Sequence, residues 1–173
     1  STAPAKSVRK GENERKTRRS LEAYLQEGAK VASTSEIDFI WKFLGSNDRG
    51  LRHAARVALE KQPVKAWKER LAAEANPVSS TAAMIALARV DGEGSASEII
   101  AKAISLDYKK TKSRQTRLDI LRCVTLSLTR AGQPKASDKA KLLKWLDGIY
   151  PAGTPDENRD LSAMAAFLNA PFA

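Results

Sequence analysis

Residues 35–62, with the sequence SEIDFIWKFLGSNDRGLRHAARVALEKQ, predict two helices folded back on each other. In the first half, apolar residues recur at the spacing i, i+3, i+4, i+7, at Ile37, Ile40, Trp41 and Leu44. In the second half, a similar stripe is formed by Leu51, Ala55, Ala58 and Leu59. This period is that of one face of an amphipathic helix, so each half is expected to bury one side against the other.

The turn between these two helices carries residues that end one helix and begin the next. Gly45 is expected to end the first helix in a left-handed conformation, which glycine adopts without steric cost. Asn47 or Asp48 can cap the second helix by accepting hydrogen bonds from its first free N–H groups. Pro63 is expected to end the second helix and to open the next unit at a first helical position.

The same unit of helix, turn and helix is predicted three more times along the chain. Second helices are expected to begin near Arg49, Ser79, Ser113 and Asp156. Ser95 and Glu98 fit a capping box in the third unit, and Thr154 fits the cap of the last helix. No segment alternates with the period of a strand. We therefore expect an all-α fold, a short right-handed α-solenoid of about four stacked helix pairs, with a closed bundle as the alternative.

The length of 173 residues suits one domain with an arm. Residues 1–34 are interpreted as a basic N-terminal arm and lead-in helix, with the helix over about residues 12–26. Residues 35–173 are interpreted as the helical repeat domain. No apolar run is long enough to cross a membrane, and the first residues lack the apolar core of a signal peptide.

The formal net charge is +10, and much of the excess lies near the N-terminus. The first 20 residues carry Glu12 and Glu14 against seven basic residues, Lys6, Arg9, Lys10, Arg15, Lys16, Arg18 and Arg19. Two interpretations are open for this segment. It is either a solvated lead-in or an electrostatic contact with nucleic acid, an acidic protein or anionic lipid.

The residues that usually carry chemistry are sparse. A metal site needs several converging ligands, and His53 is the single histidine, so it is interpreted as a packing or capping residue. Cys123, the single cysteine, lies in the apolar run LDILRCVTLSL and is expected to be buried. Core positions are also expected for the tryptophans, Trp41, Trp67 and Trp145. We expect no enzyme activity, and no catalytic, metal or cofactor-binding residue.

Five arginines are the candidate partner-binding residues: Arg49, Arg52, Arg56, Arg114 and Arg117. The first three recur at i, i+3, i+7 and so share one helix face. The last two, together with Lys110, recur at a similar helical spacing in the third unit. On a groove, guanidinium groups can bind phosphates or carboxylates through two parallel hydrogen bonds. The alternative is local, because Glu60 lies four residues after Arg56 and can pair with it.

Several runs of this sequence resemble one known family. They are RHAARVALE at 52–60, QPV at 62–64 with Trp67, ALARV at 86–90, TRLDILR at 116–122, NRDL at 158–161 and FLNAP at 167–171. These runs resemble the HEAT-like repeat region of large bacterial secreted proteins. Those proteins combine a sorbosone-dehydrogenase-like β-propeller, helical repeats and often a c-type haem domain. The resemblance extends over about residues 15–171.

The resemblance implies a periplasmic or cell-surface location and neighbouring redox domains. It carries over no catalytic residue, because the haem attachment motif C-x-x-C-H is absent from this sequence. It implies a non-catalytic protein-interaction scaffold that orients or docks propeller or c-type haem partners. The positive charge favours an alternative, a basic helical-repeat module that binds the phosphate backbone of nucleic acid.

Overall fold

The computed structural model describes residues 11–26, 28 and 30–171. These residues form nine α-helices and no strand, which confirms the all-α prediction. The helices are α1 (Glu12–Glu22), α2 (Thr34–Lys42), α3 (Arg49–Glu60), α4 (Arg70–Ala73), α5 (Pro77–Val90), α6 (Ala96–Ser105), α7 (Arg114–Ala131), α8 (Ala136–Ile149) and α9 (Pro155–Phe167). Short 3-10 helices follow α1 at Ala23–Leu25 and precede α4 at Val64–Ala66. The predicted arm's basic residues Lys6, Arg9 and Lys10 lie outside the described residues.

The helices pack in two series that follow the chain order. Helices α1, α3, α5, α7 and α9 form the first series, in which each helix contacts the next. The even-numbered helices pack against this series, and α6 also contacts α4 and α8. Helix α1 belongs to this packed body, because it lies against α3 and its Leu21 is fully buried.

Helix α3 forms where the sequence predicts it. The Asp48 side chain accepts a hydrogen bond from the Leu51 N–H at 2.9 Å and caps the helix. The predicted stripe is buried, together with Ala54, in the hydrophobic core. Small alanine side chains on this face let neighbouring helices approach closely, since little volume separates the backbones.

Gly45 has a different role from the one predicted. Helix α2 ends at Lys42, and the left-handed glycines of the described residues are Gly11, Gly28 and Gly132. A Cβ atom on Gly45 would lie 2.5 Å from the Ser79 Oγ. The left-handed prediction for Gly45 was therefore wrong. Glycine is needed there because the turn packs directly against the start of α5.

The first helix of the second unit is broken, where the sequence predicted a continuous helix from Pro63. Trp67 has a non-helical φ of −142° between the 3-10 helix and α4. Its indole is 1% exposed, and its Nε1 donates to the Gln62 carbonyl oxygen at 3.4 Å. Burial of this large side chain stabilises the fold by about 2–3 kcal/mol. The regular helix is interrupted at the same point.

The capping box predicted at Ser95 does not form. The Ser95 hydroxyl donates instead to the Asp91 carboxylate at 2.5 Å, and the residue is buried. Trp41 and Trp145 are partly buried against the core, as predicted for first-helix positions. Within the described ranges, no helix has the length and apolar character needed to cross a membrane.

Candidate functional site

Each of the four second helices, α3, α5, α7 and α9, begins with the same arrangement, which we call the turn clasp. The N-cap side chains are Asp48, Asn76, Ser113 and Thr154, and each accepts a hydrogen bond from a backbone N–H in the first turn. The side chain four residues after the cap then donates to the backbone carbonyl six residues before itself. The four pairs are Arg52 to Ser46 at 2.6 Å, Ser80 to Glu74 at 3.3 Å, Arg117 to Thr111 at 2.8 Å, and Asn158 to Ala152 at 2.9 Å.

Two of the predicted partner-binding residues, Arg52 and Arg117, are therefore engaged with their own turns. The Arg52 Nη1 also donates to the Asn47 carbonyl oxygen at 3.2 Å. The Arg117 Nη1 also donates to the Lys112 carbonyl oxygen at 3.3 Å. A guanidinium carries its donors in a fixed fork, which suits it to two successive carbonyl groups. These side chains fix the path of the chain into α3 and α7.

Arg117 also takes part in a buried network with α9. Its Nε lies 2.5 Å from the Glu157 Oε1, and the Glu157 side chain is 1% exposed. The Tyr108 hydroxyl donates to the same carboxylate at 2.8 Å, and the Thr154 hydroxyl donates to it at 2.6 Å. These donors, the guanidinium above all, lower the pKa of Glu157 to about 2. Burial, reinforced by the neighbouring carboxylate, raises the pKa of Tyr108.

The other three predicted partner-binding residues, Arg49, Arg56 and Arg114, lie in three different environments. Arg114 pairs with Asp156 of α9, and about half of each side chain is exposed. Arg49 is exposed and makes no hydrogen bond or ion pair with another described residue. Arg56 pairs with Glu60, which confirms the local alternative, and its Nη2 lies 3.2 Å from the His53 Nδ1. The structure thus does not bring the five arginines together on one free surface.

A different set of arginines is connected across three helices, and we call it the arginine row. It consists of Arg56 on α3, Arg89 on α5 and Arg130 on α7. The Glu60 carboxylate pairs with Arg56 through Oε1 and with the Arg89 Nε through Oε2, the latter at 3.0 Å. The Arg130 Nη1 donates to the Arg89 carbonyl oxygen at 3.3 Å. The row lies toward the C-terminal ends of these helices.

Sequence reasoning missed Arg89 and Arg130 as members of a site. Each is the penultimate residue of its helix, in the last turn of α5 and of α7. A basic residue in the last turn is favoured by the negative end of the helix dipole. Arg89 and Arg130 share this position in their helices. No local motif distinguishes them from the basic residues that commonly occupy helix ends.

An open groove runs around the short helix α4. It consists of two cavities of about 710 and 430 Å³ that share Ala72, Lys102 and Ser105. The Lys102 Nζ donates to the carbonyl oxygens of Ala72 and Glu74, and so satisfies groups that the end of α4 leaves free. Burial lowers the pKa of Lys102. The Glu74 Oε2 accepts a hydrogen bond from the Trp41 indole at 2.7 Å.

The groups most often used for catalysis are dispersed in the described part of the chain. No group of three His, Cys, Asp or Glu side chains there is placed to hold a metal ion. Cys123 is fully buried, as predicted, with its Sγ 3.5 Å from the Thr81 carbonyl oxygen. Burial raises the pKa of the Cys123 thiol, and a thiol held in its neutral form is a poor nucleophile.

Comparison of this chain with protein-family models, with curated proteins and with solved structures finds no match. The HEAT-like resemblance, the redox setting and the extracytoplasmic location therefore stay predictions. The geometry of the described residues is the basis for the proposals below.

Proposed function

We propose that this chain is a non-catalytic protein-interaction scaffold built as a short right-handed α-solenoid of HEAT-like helix pairs. Its role is to orient or dock redox partners, either a β-propeller or a c-type haem domain. The observation that carries this proposal is the turn clasp, which holds four successive helix pairs by the same hydrogen bond. A repeated joint of this kind is what stacked repeats require, since each unit packs only against its neighbours.

The order of helix contacts supports the solenoid. Helices α3, α5, α7 and α9 each contact the next of their series, and α4, α6 and α8 do the same on the other side. In a closed bundle the first and last helices would also be expected to meet. A stack instead leaves long surfaces on both series available to a partner.

The use of polar side chains supports a structural rather than a catalytic role. Among the described residues, Glu157 is the most deeply buried carboxylate, and it accepts from Arg117, Tyr108 and Thr154. In the same part of the chain Lys102 is the most deeply buried cation, and it donates to backbone carbonyls. Both groups serve contacts between helices, and neither is held ready for a substrate. A scaffold needs this rigidity, because partner orientation depends on a fixed surface.

The redox partners and the periplasmic or cell-surface setting come from the family resemblance. We test them together through the mass and visible absorbance of the native complex that contains this chain, purified from its source. A species well above 18.9 kDa with a haem Soret band supports the proposal. A free chain of 18.9 kDa without haem would contradict it. A preparation washed with high salt serves as the control for loosely bound contaminants.

A second candidate function is binding to the phosphate backbone of nucleic acid. The observation that favours it is the cationic surface of α1, where Lys16 and Arg19 are exposed and have no partner among the described residues. Such binding would weaken with salt, with a log–log slope of about −0.9 for each phosphate contacted on duplex DNA. The Lys16→Gln, Arg19→Gln variant should reduce that slope by about 2. An unchanged slope would exclude α1 as the binding surface.

A further inference from the structure

The arginine row contains more positive than negative groups, and guanidinium groups form its solvent-facing side. Arg56 and Arg89 share one carboxylate, Glu60, whereas Arg130 binds a backbone carbonyl, so the three guanidinium groups of the row are paired with a single negative charge. The Glu60 side chain is 10% exposed, whereas that of Arg89 is 51% exposed. The negative charge therefore lies beneath the surface and the positive charge lies at it. An approaching ligand meets the guanidinium groups first.

Two members of the row keep donors that the protein does not use. Arg89 binds Glu60 through Nε, and its two terminal nitrogens have no partner among the described residues. Arg130 binds the Arg89 carbonyl through Nη1 alone. A guanidinium has five N–H donors, so both side chains can still bind a carboxylate bidentately. Arg56 differs, because its terminal nitrogens already contact Glu60 and His53.

The unused donors are also held in place. Glu60 fixes the Arg89 guanidinium from below at 3.0 Å. Arg130 packs its stem against the turn after α5, where a Cβ atom on Gly92 would lie 3.0 Å from the Arg130 Cβ and 3.1 Å from its Cδ. Because both side chains are already ordered, binding costs less conformational entropy than it would for two free surface arginines.

The surroundings of the row favour a protein over a nucleic acid. Val90, which follows Arg89 at the end of α5, is 39% exposed and adds apolar surface to this end of the helix. Arginine beside apolar surface is typical of the energetic centres of protein interfaces. Two guanidinium groups are few for nucleic acid, where tight binding commonly uses about 6–10 phosphate contacts.

We propose that Arg89 and Arg130 form a docking site for a carboxylate-rich segment of a partner protein. Arg56 and Glu60 act as positioning residues that orient Arg89. Gly92, which has no side chain, leaves room for the Arg130 stem. The inference rests on the proposed scaffold function and names the surface and the partner chemistry that this function would use. It moves partner binding from the predicted arginines of α3 and α7 to the C-terminal ends of α5 and α7.

The test measures the affinity of the whole chain for a fluorescent peptide in which glutamates are interspersed with valines. The measurement is repeated at a series of salt concentrations. The Arg89→Gln, Arg130→Gln variant should bind about tenfold more weakly, since it loses the charged donors. The control is Arg122→Gln, Lys144→Gln, which removes the same charge from exposed residues without partners in the described part. It should change binding less than about twofold. Equal loss in the two double variants would overturn the proposal, because net charge alone would then explain binding.

A third variant separates geometry from charge. Gly92→Ala leaves the charge unchanged but places a methyl group 2.7 Å from the Ala88 carbonyl oxygen and 3.0 Å from the Arg130 Cβ. The turn and the Arg130 stem must then move apart, so peptide binding should weaken several-fold. Unfolding by urea shows whether each variant keeps the native fold, and only folded variants are compared. Wild-type affinity for duplex DNA in place of the peptide would overturn the choice of partner. Failure of peptide binding would reject this site alone, whereas a native chain without any partner would reject the scaffold itself.

Discussion

The Arg117 guanidinium crosses from α7 to the buried Glu157 carboxylate on α9, with Nε 2.5 Å from Oε1. Removal of one partner leaves the other as an unpaired buried charge, which costs far more than the pair is worth. We expect Arg117→Met to lower the free energy of unfolding by about 3–5 kcal/mol, measured by urea denaturation.

The matched control for this change is Arg114→Gln on the same helix. Its partner Asp156 is about half exposed, so water screens the ion pair. The loss there should be less than about 1 kcal/mol. Similar losses in the two variants would contradict a special role for the buried network.

The same carboxylate predicts how stability depends on pH. The pKa of Glu157 is lowered from its ordinary 4.5 to about 2 in the folded protein, chiefly by Arg117. Its contribution is therefore complete above about pH 4.5 and is lost as the pH falls toward 2. The urea midpoint of Glu157→Gln should fall less steeply over this interval than that of the wild type. Part of the slope should remain, because the Ser33 N–H lowers the pKa of Glu36 to about 2 as well.

Two glycines should respond to alanine in opposite directions. At Gly45 the new Cβ would lie 2.5 Å from the Ser79 Oγ, so Gly45→Ala should destabilise the protein by about 1–3 kcal/mol. At Gly148, within α8, a Cβ would meet nothing within 4 Å, so Gly148→Ala should stabilise by about 0.4–1 kcal/mol. Thermal unfolding of both variants measures the difference. Stabilisation by Gly45→Ala would exclude the close approach of this turn to α5.

The turn clasp can be tested on α9, where the side chain four residues after the cap makes two hydrogen bonds to the same backbone residue. Asn158 donates to the Ala152 carbonyl at 2.9 Å and accepts from the Ala152 N–H at 2.6 Å. We expect Asn158→Ala to cost about 1–3 kcal/mol, since it leaves partly buried backbone groups unpaired. Ser162→Ala, on an exposed position of the same helix, should stay within about 0.5 kcal/mol in the same urea experiment.

Cys123 should be unreactive toward thiol reagents in the folded protein. It is fully buried, and burial raises its pKa, which favours the neutral, poorly nucleophilic thiol. A thiol-specific chromogenic disulfide reagent should react with the native chain only at the rate of its opening, and at once in denaturant. Rapid reaction without denaturant would mean that the core around α7 is not closed.

The sequence predicted the parts of this fold that depend on neighbouring residues. The helical stripes and the caps at Asp48 and Thr154 follow from spacing and local hydrogen bonding, and both caps form. Gly45 was interpreted wrongly because its constraint comes from Ser79, in another unit. The break at Trp67 likewise depends on burial in the shared core, which a local pattern does not contain.

The candidate site was predictable only in part for the same reason. The Arg56 and Glu60 pair is four residues apart and was anticipated as the local alternative. Glu157 lies 40 residues after Arg117, and Arg89 lies 29 residues after Glu60, so packing alone brings these partners together. Arginine spacing on a helix therefore predicted a shared face, but it could not indicate which of these side chains already have partners.

The turn clasp uses arginine, serine, arginine and asparagine at equivalent positions. What recurs is the ability to donate a hydrogen bond to one backbone oxygen, and the chemical identity of the donor is free to vary. Different donor residues can therefore occupy these positions without loss of the hydrogen bond at the turn. The hydrogen bond to the backbone oxygen, rather than the residue that donates it, is therefore the feature that the four turns share.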